Sequence, residues 1–274
     1  MSTFACDIHG NSGIAPKNSL YIAAGDKDAS MTEDQFLATV KKVSDIYAPI
    51  IELKGATLIM DNNWKDGTVN AYANQSGNEW HVHMFGGLAR HPMTTIDGFA
   101  LVVCHELGHH LGGAPKYSGD NEWASNEGQA DYWGAMKCLR KVLEKENNIS
   151  IVSTMKIDAE ATKKCSSVYK TAAEIALCQR VSMAGKSLAM LLGDLGGNSN
   201  VKFESPDKKV VKQTYDAHPQ AQCRLDTYFS GTLCSKSILQ DVDGVDPKIG
   251  TCTKSEGFQL GARPLCWYKP SADE

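Results

Sequence analysis

The sequence predicts an α+β fold, mainly helical and packed around one small β-sheet. Two observations carry the helices. Apolar residues recur at helical spacing from Thr32 to Tyr47, and later stretches are rich in Ala, Leu, Met and Lys. A third carries the sheet: Thr68 to Ala73 and Glu79 to Phe85 flank the turn-forming stretch Asn74 to Asn78, as a hairpin would. At 274 residues the chain can bury a substantial core. A single domain spanning 1–274 is expected, with an irregular segment at 1–30 and an elaborated end at 230–274. No internal repeat is visible.

Taken in order, Thr32 caps the first helix, Phe36, Leu37, Val40, Val43 and Tyr47 share its buried face, and Pro49 stops it. Ala56 to Met60 is strand-like, and Asp61 to Gly67 is a turn cluster. After the hairpin comes a helix from Thr94 to Leu111. Thr94 with Asp97 makes an altered capping box, Phe99, Leu101, Val102, Val103 and Leu107 form the apolar body, and Gly112-Gly113 followed by Pro115 ends it. Ser125 caps the next helix, which runs to about Glu146. Ile157 to Lys164 and Ser166 to Leu195 read as helices, 196–200 as a break, and Pro219 to Phe229 as a helix opening just after His218. From Ser230 onward the chain is rich in Gly, Asp and Cys. Asp241 to Asp246 reads as an acidic turn, because the later ligand positions of a calcium loop do not follow.

The Thr94–Leu111 helix carries His105-Glu106-Leu107-Gly108-His109, the pattern H-E-x-x-H. Residues four apart on a helix lie about 40° apart around the axis. His105 and His109 can therefore ligate one metal ion, with Glu106 beside them to take a proton from a metal-bound water. A catalytic zinc needs a third protein ligand. The spacing H-E-x-x-H-x-x-G-x-x-H is ruled out, because Pro115 stands at its last position, and His110 points about 100° away from its neighbour. The alternative is a carboxylate on the next helix. Glu127 follows His109 by eighteen residues, and Asp131 lies one turn beyond it on the same face, suited to orienting a ligating histidine.

H-E-x-x-H followed by E-x-x-x-D is the gluzincin pattern. Val69-Asn70-Ala71-Tyr72-Ala73 resembles the N-A-F-A strand of the HtpX and CAAX-prenyl-protease-like zinc metallopeptidases. Trp80 to Leu88 resembles the strand and glycine-leucine step before their zinc helix, and Asp216-Ala217-His218-Pro219 with Arg224 is similar to their T-H-P-x-x-x-x-R segment. The likeness covers about Lys54 to Phe229. It departs in lacking long apolar spans, in Asp216-Ala217, and in a short gap from His109 to Glu127. That gap is nearer to thermolysin-like enzymes, whose N-E-x-x-S-D-x-F-G also resembles Asn126 to Gly134.

The resemblance implies a zincin-like fold whose edge strand borders the zinc helix. It implies a soluble zinc endopeptidase with one zinc ion on His105, His109 and Glu127, and Glu106 as general base. His218 is expected to stabilise the oxyanion, Asp131 to orient His105, and Arg224 to position His218 or an acidic neighbour. An edge strand containing Asn70, Ala71 and Tyr72, or the strand Glu79 to Phe85, would pair with an extended polypeptide through its backbone, making unfolded polypeptide the natural partner. His81 and His83 share a strand face and read as exposed histidines before a second metal site. The alternatives are a zinc-stabilised binding or chaperone-like module with weak turnover, and a cysteine-rich interaction protein with an accidental motif. Intact Glu106 weighs against the former, and Glu127 with Asp131 against the latter.

A net charge of −4 and pI near 6.1 argue against a dedicated nucleic-acid binder. No run reads as a membrane span, and oligomeric state has no signature. Of nine cysteines, Cys104 lies inside the apolar helix and reads as a buried free thiol. Cys6, Cys138, Cys165, Cys178, Cys223, Cys234, Cys252 and Cys266 form an even set that predicts disulfides and an exported protein, periplasmic or secreted, with its signal peptide missing from this sequence. A reduced cytoplasmic enzyme is the alternative. Asn74-Gln75-Ser76 and Asn148-Ile149-Ser150 are glycosylation sequons.

Overall fold

The computed structural model describes residues 3–5 and 13–274, and within them the fold is α+β. Cys6 lies outside the described residues. A short strand β1 (Thr3–Phe4) precedes helix α1 (Glu33–Glu52). Thr32 and Gln35 close a reciprocal capping box at its start. Pro49 does not end α1; the helix runs on to Glu52 because Ile51 is fully buried and tertiary packing outweighs the bond that proline removes. Strands β2 (Thr57–Asn63), β3 (Ala71–Ser76) and β4 (Glu79–Phe85) follow, and the sheet order is β1-β3-β4-β2. The β3–β4 hairpin is antiparallel, and its turn shrinks to Gly77-Asn78, with φ +61° at Gly77. Asp61 to Asn63 belong to β2 and not to a turn, because β2 pairs in parallel with β4 along its whole length.

Helix α2 (Gly86–Arg90) leads into α3 (Ile96–Leu111), the central helix. Its cap is Thr95, whose hydroxyl accepts from Gly98 N at 3.0 Å. Thr94 instead donates to Leu88 O, and Asp97 is drawn into a two-bond pair with Arg180, so the expected Thr94 box does not form. Helix α4 (Glu127–Trp133) continues through a π-helical turn, Gly134–Cys138, into α5 (Leu139–Leu143). Its cap is Asn126, which accepts from Gln129 N, whereas Ser125 donates to Gly113 O. Helices α6 (Asn148–Ser153), α7 (Ala159–Val168), α8 (Ala172–Leu195) and α9 (Ala221–Leu233) complete the set. Helix α6 has no counterpart among the helices expected from sequence, and α8 starts at Ala172, not at Ser166.

Val82 and Met84 turn inward from β4 to meet α3, which also packs against α1, α4 and α8. Helix α8 has the length and apolar composition to cross a membrane, but two-thirds of that stretch is buried inside the molecule. It packs as a core helix between α3 and α9. Cys104 is not a free thiol: it is bonded to Cys138, tying α3 to the π-helical turn. Cys165–Cys178 joins α7 to α8, while Cys223–Cys266 and Cys234–Cys252 pin the C-terminal extension, which has no regular element, onto α9. Four disulfides mark a chain suited to an oxidising compartment. Both sequon asparagines, Asn74 and Asn148, are buried and poor glycan acceptors.

Candidate metal centre

The central helix lies against α4 closely enough that a Cβ on Gly108 would meet Ala130 Cα and O at 2.9 Å. The glycine in the middle of the motif thus sets the approach that brings Glu127 to the two histidines. His105, His109 and Glu127 are all fully buried, and one ligand atom from each lies within 4.8 Å of the others. His105 Nε2 is 3.3 Å from Glu127 Oε2, and His109 Nε2 is 3.6 Å from Glu127 Oε1. Donors held about 2.0–2.2 Å from a tetrahedral ion stand roughly 3.3 Å from one another, so this spacing fits a metal with little movement.

The outer nitrogens are anchored. His105 Nδ1 lies 2.7 Å from Asp131 Oδ1, and His109 Nδ1 donates to Ser125 O at 2.8 Å. These contacts hold both rings with Nε2 turned inward, and the bond to Ser125 O sets the His109 tautomer. Arg224 grips Asp131 through Nε and Nη2 at 2.8 and 2.7 Å and donates through Nη1 to Ile14 O at 2.8 Å. Of the two partners expected for Arg224, it meets the acidic one, Asp131, which in turn lies against His105. His218 Nε2 is 3.2 Å from Glu127 Oε2, so the His-Pro segment does reach the centre. Tyr117 joins the site without a sequence signal; its hydroxyl donates to Glu127 Oε1 at 3.1 Å. It lies in the polar stretch 116–124, which carried no periodic signal.

Burial opposes charge on His105, but the Asp131 and Glu127 carboxylates outweigh it and hold the ring's pKa up at about 9. Burial drops His109 to about 4. Glu127 stays well below the usual carboxylate range despite burial, because His218, His109 and His105 surround it. Burial pushes Glu106 up to about 8, helped by Glu127 and Asp131 and opposed by His105 and Arg224. Neither carboxyl oxygen of Glu106 finds a hydrogen-bond partner among the described residues, and His105 Nε2 finds no donor there. Such orphaned buried groups, converging with two anchored histidines, are what a metal ion and its water satisfy.

His110 faces away as expected. It stacks between Trp80 and Trp123, with ring centres 5.1 and 5.0 Å apart, and donates to His81 O.

No family model matches this chain, and neither a curated protein nor a solved structure does.

The strand proposed to receive substrate is occupied. The outer edge of β3 pairs antiparallel with β1, Ala5 N donates to Ala73 O at 3.1 Å, and Ile14 N donates to Ala71 O at 2.8 Å. Asn70 Oδ1 accepts from Ala15 N and Ala71 N, and the Tyr72 ring stacks on His83. Strand β4 lies inside the sheet, paired on both sides, and has no free edge.

Proposed function

We propose that this chain is an exported zinc endopeptidase of zincin-like, gluzincin type that cleaves extended or unfolded polypeptide. The observation that carries the reading is the buried convergence of His105, His109 and Glu127, with the partnerless Glu106 carboxyl beside them. Zinc suits two imidazoles and a carboxylate; when bound, it lowers the pKa of a coordinated water from about 15.7 towards about 7 and polarises a carbonyl. Glu106, whose carboxyl oxygens face the centre without other partners among the described residues, removes the proton from the attacking water and delivers it to the leaving amine. Asp131 and Arg224 keep the His105 ring turned inward. His218 donates to the oxygen of the attacked carbonyl, a role worth roughly 2.7–4 kcal/mol for such donors. The covered edge of β3 favours a second reading, a metal-stabilised module that binds chains without turnover.

Cleavage of unfolded casein by zinc-loaded protein decides between them. Glu106→Gln should keep the wild-type zinc content and lose about 10²–10⁴-fold in rate. Loss of zinc with the substitution, or equal rates in the two proteins, would contradict the assignment of Glu106. Zinc-bound wild type that never cleaves would favour the binding module.

A further inference from the structure

Strand alternation puts Glu79, His81, His83 and Phe85 on the sheet face opposite Val82 and Met84, away from the central helix. Parallel pairing makes Asp61 of β2 the direct neighbour of His83. Asp61 Oδ2 lies 3.0 Å from His81 Nδ1 and 3.2 Å from His83 Nδ1. The two rings stack 10° from parallel with centres 5.7 Å apart, so both Nδ1 atoms point at the same carboxylate oxygen.

The outer nitrogens decide what that convergence requires. His83 Nε2 is 2.6 Å from Asn74 Oδ1, and His81 Nε2 is 3.4 Å from Glu79 Oε2. Both of those oxygens are acceptors. A neutral imidazole has one hydrogen: in His83 the short bond to Asn74 draws it to Nε2, whereas in His81 it sits on Nδ1, which donates to Asp61 Oδ2. The His83 Nδ1 lone pair and the Asp61 carboxylate oxygen converge with His81 Nδ1, whose one hydrogen a metal ion would displace. Tyr72 packs flat on His83, ring centres 4.1 Å apart, and holds its plane. Imidazole ligands backed on the far nitrogen by an amide or carboxylate oxygen are the arrangement of a metal site.

We propose that Asp61, His81 and His83 form a second divalent-metal site, of zinc type, on the outer face of the sheet. The three atoms lie within 4.8 Å of one another, at spacings close to the roughly 3.3 Å of a tetrahedral zinc shell. Partial exposure of the three residues leaves the fourth position to water. The ion clamps β2 to β4, on the face opposite the buried centre.

Equilibrium dialysis of the full chain against micromolar zinc, read by elemental analysis, tests this. Wild type should hold one more zinc than His81→Ala or Asp61→Asn, and its melting temperature should rise further with zinc than theirs. The same difference of one ion supports the site even if the buried centre takes none, so failure of the proposed function is distinguishable. Equal zinc content in wild type and both variants, whatever the total, would overturn it.

Discussion

Asp131 receives two Arg224 bonds on one side and the His105 ring on the other, all inside the core. Asp131→Asn removes the charge that both partners need. Metal affinity should fall about 10–100-fold, as when other residues supporting a ligand are changed, and competition with a zinc-binding dye measures it. The protonation of the centre gives a second test, with a definite sign. His105 held up at about 9 and Glu106 at about 8 both bind protons more tightly in the folded, metal-free chain than when unfolded. Their stabilisation is complete below the unfolded pKa values and is lost as pH rises through the folded ones. Metal-free protein should therefore lose stability between pH 6.5, about the unfolded histidine value, and about 9, measured as a falling urea midpoint. Zinc displaces the proton from His105 and should flatten that limb. A midpoint that rises with pH in the metal-free chain would contradict the electrostatic account of the site.

Among the elements, β1 and residues 13–15 hold the edge of β3 that an extended peptide would need. Ala5→Pro removes the donor to Ala73 O, so it should loosen that cover and tighten binding of an extended peptide, read by fluorescence polarisation in a Glu106→Gln background. Unchanged binding would mean that peptides enter elsewhere. The Cys104–Cys138 bridge closes a separation of 34 residues, and replacing both by Ala should cost about 3–4 kcal/mol in denaturant unfolding. How far these elements were legible depended on how local their causes were. The candidate site could be read because helix periodicity places His105 beside His109, and Glu127 beside Asp131, without knowledge of the fold. Thr32 could be read as a cap because its partner is three residues away. The ending of α1 beyond Pro49, the pairing of Asp61 with His83, the bridge from Cys104 and the bond from Tyr117 to Glu127 all depend on contacts distant in sequence or on burial. No local pattern encodes them. The occupied edge of β3 is the clearest such case, since residues 1–30 carry no periodic signal at all.

For the whole molecule, a metal held at this centre would be coupled to folding. A ligand that binds only the folded chain adds about 2.7 kcal/mol at a hundredfold excess over its Kd. In a chain of this size that is worth roughly 5–10 °C in melting temperature. Scanning calorimetry with zinc and then with chelator should show a rise and its reversal. Four disulfides hold the packing around α3, α8 and α9 in place, so reduction should lower the melting temperature in both states. The central claim is that α3 and α4 together hold one catalytic zinc. Crystals of zinc-loaded protein, with anomalous diffraction collected at the zinc edge, test it most directly. The account predicts a strong peak about 2.0–2.2 Å from His105 Nε2, His109 Nε2 and a Glu127 carboxyl oxygen, with one position open to water beside Glu106. Full zinc loading with no peak among those three residues would contradict it.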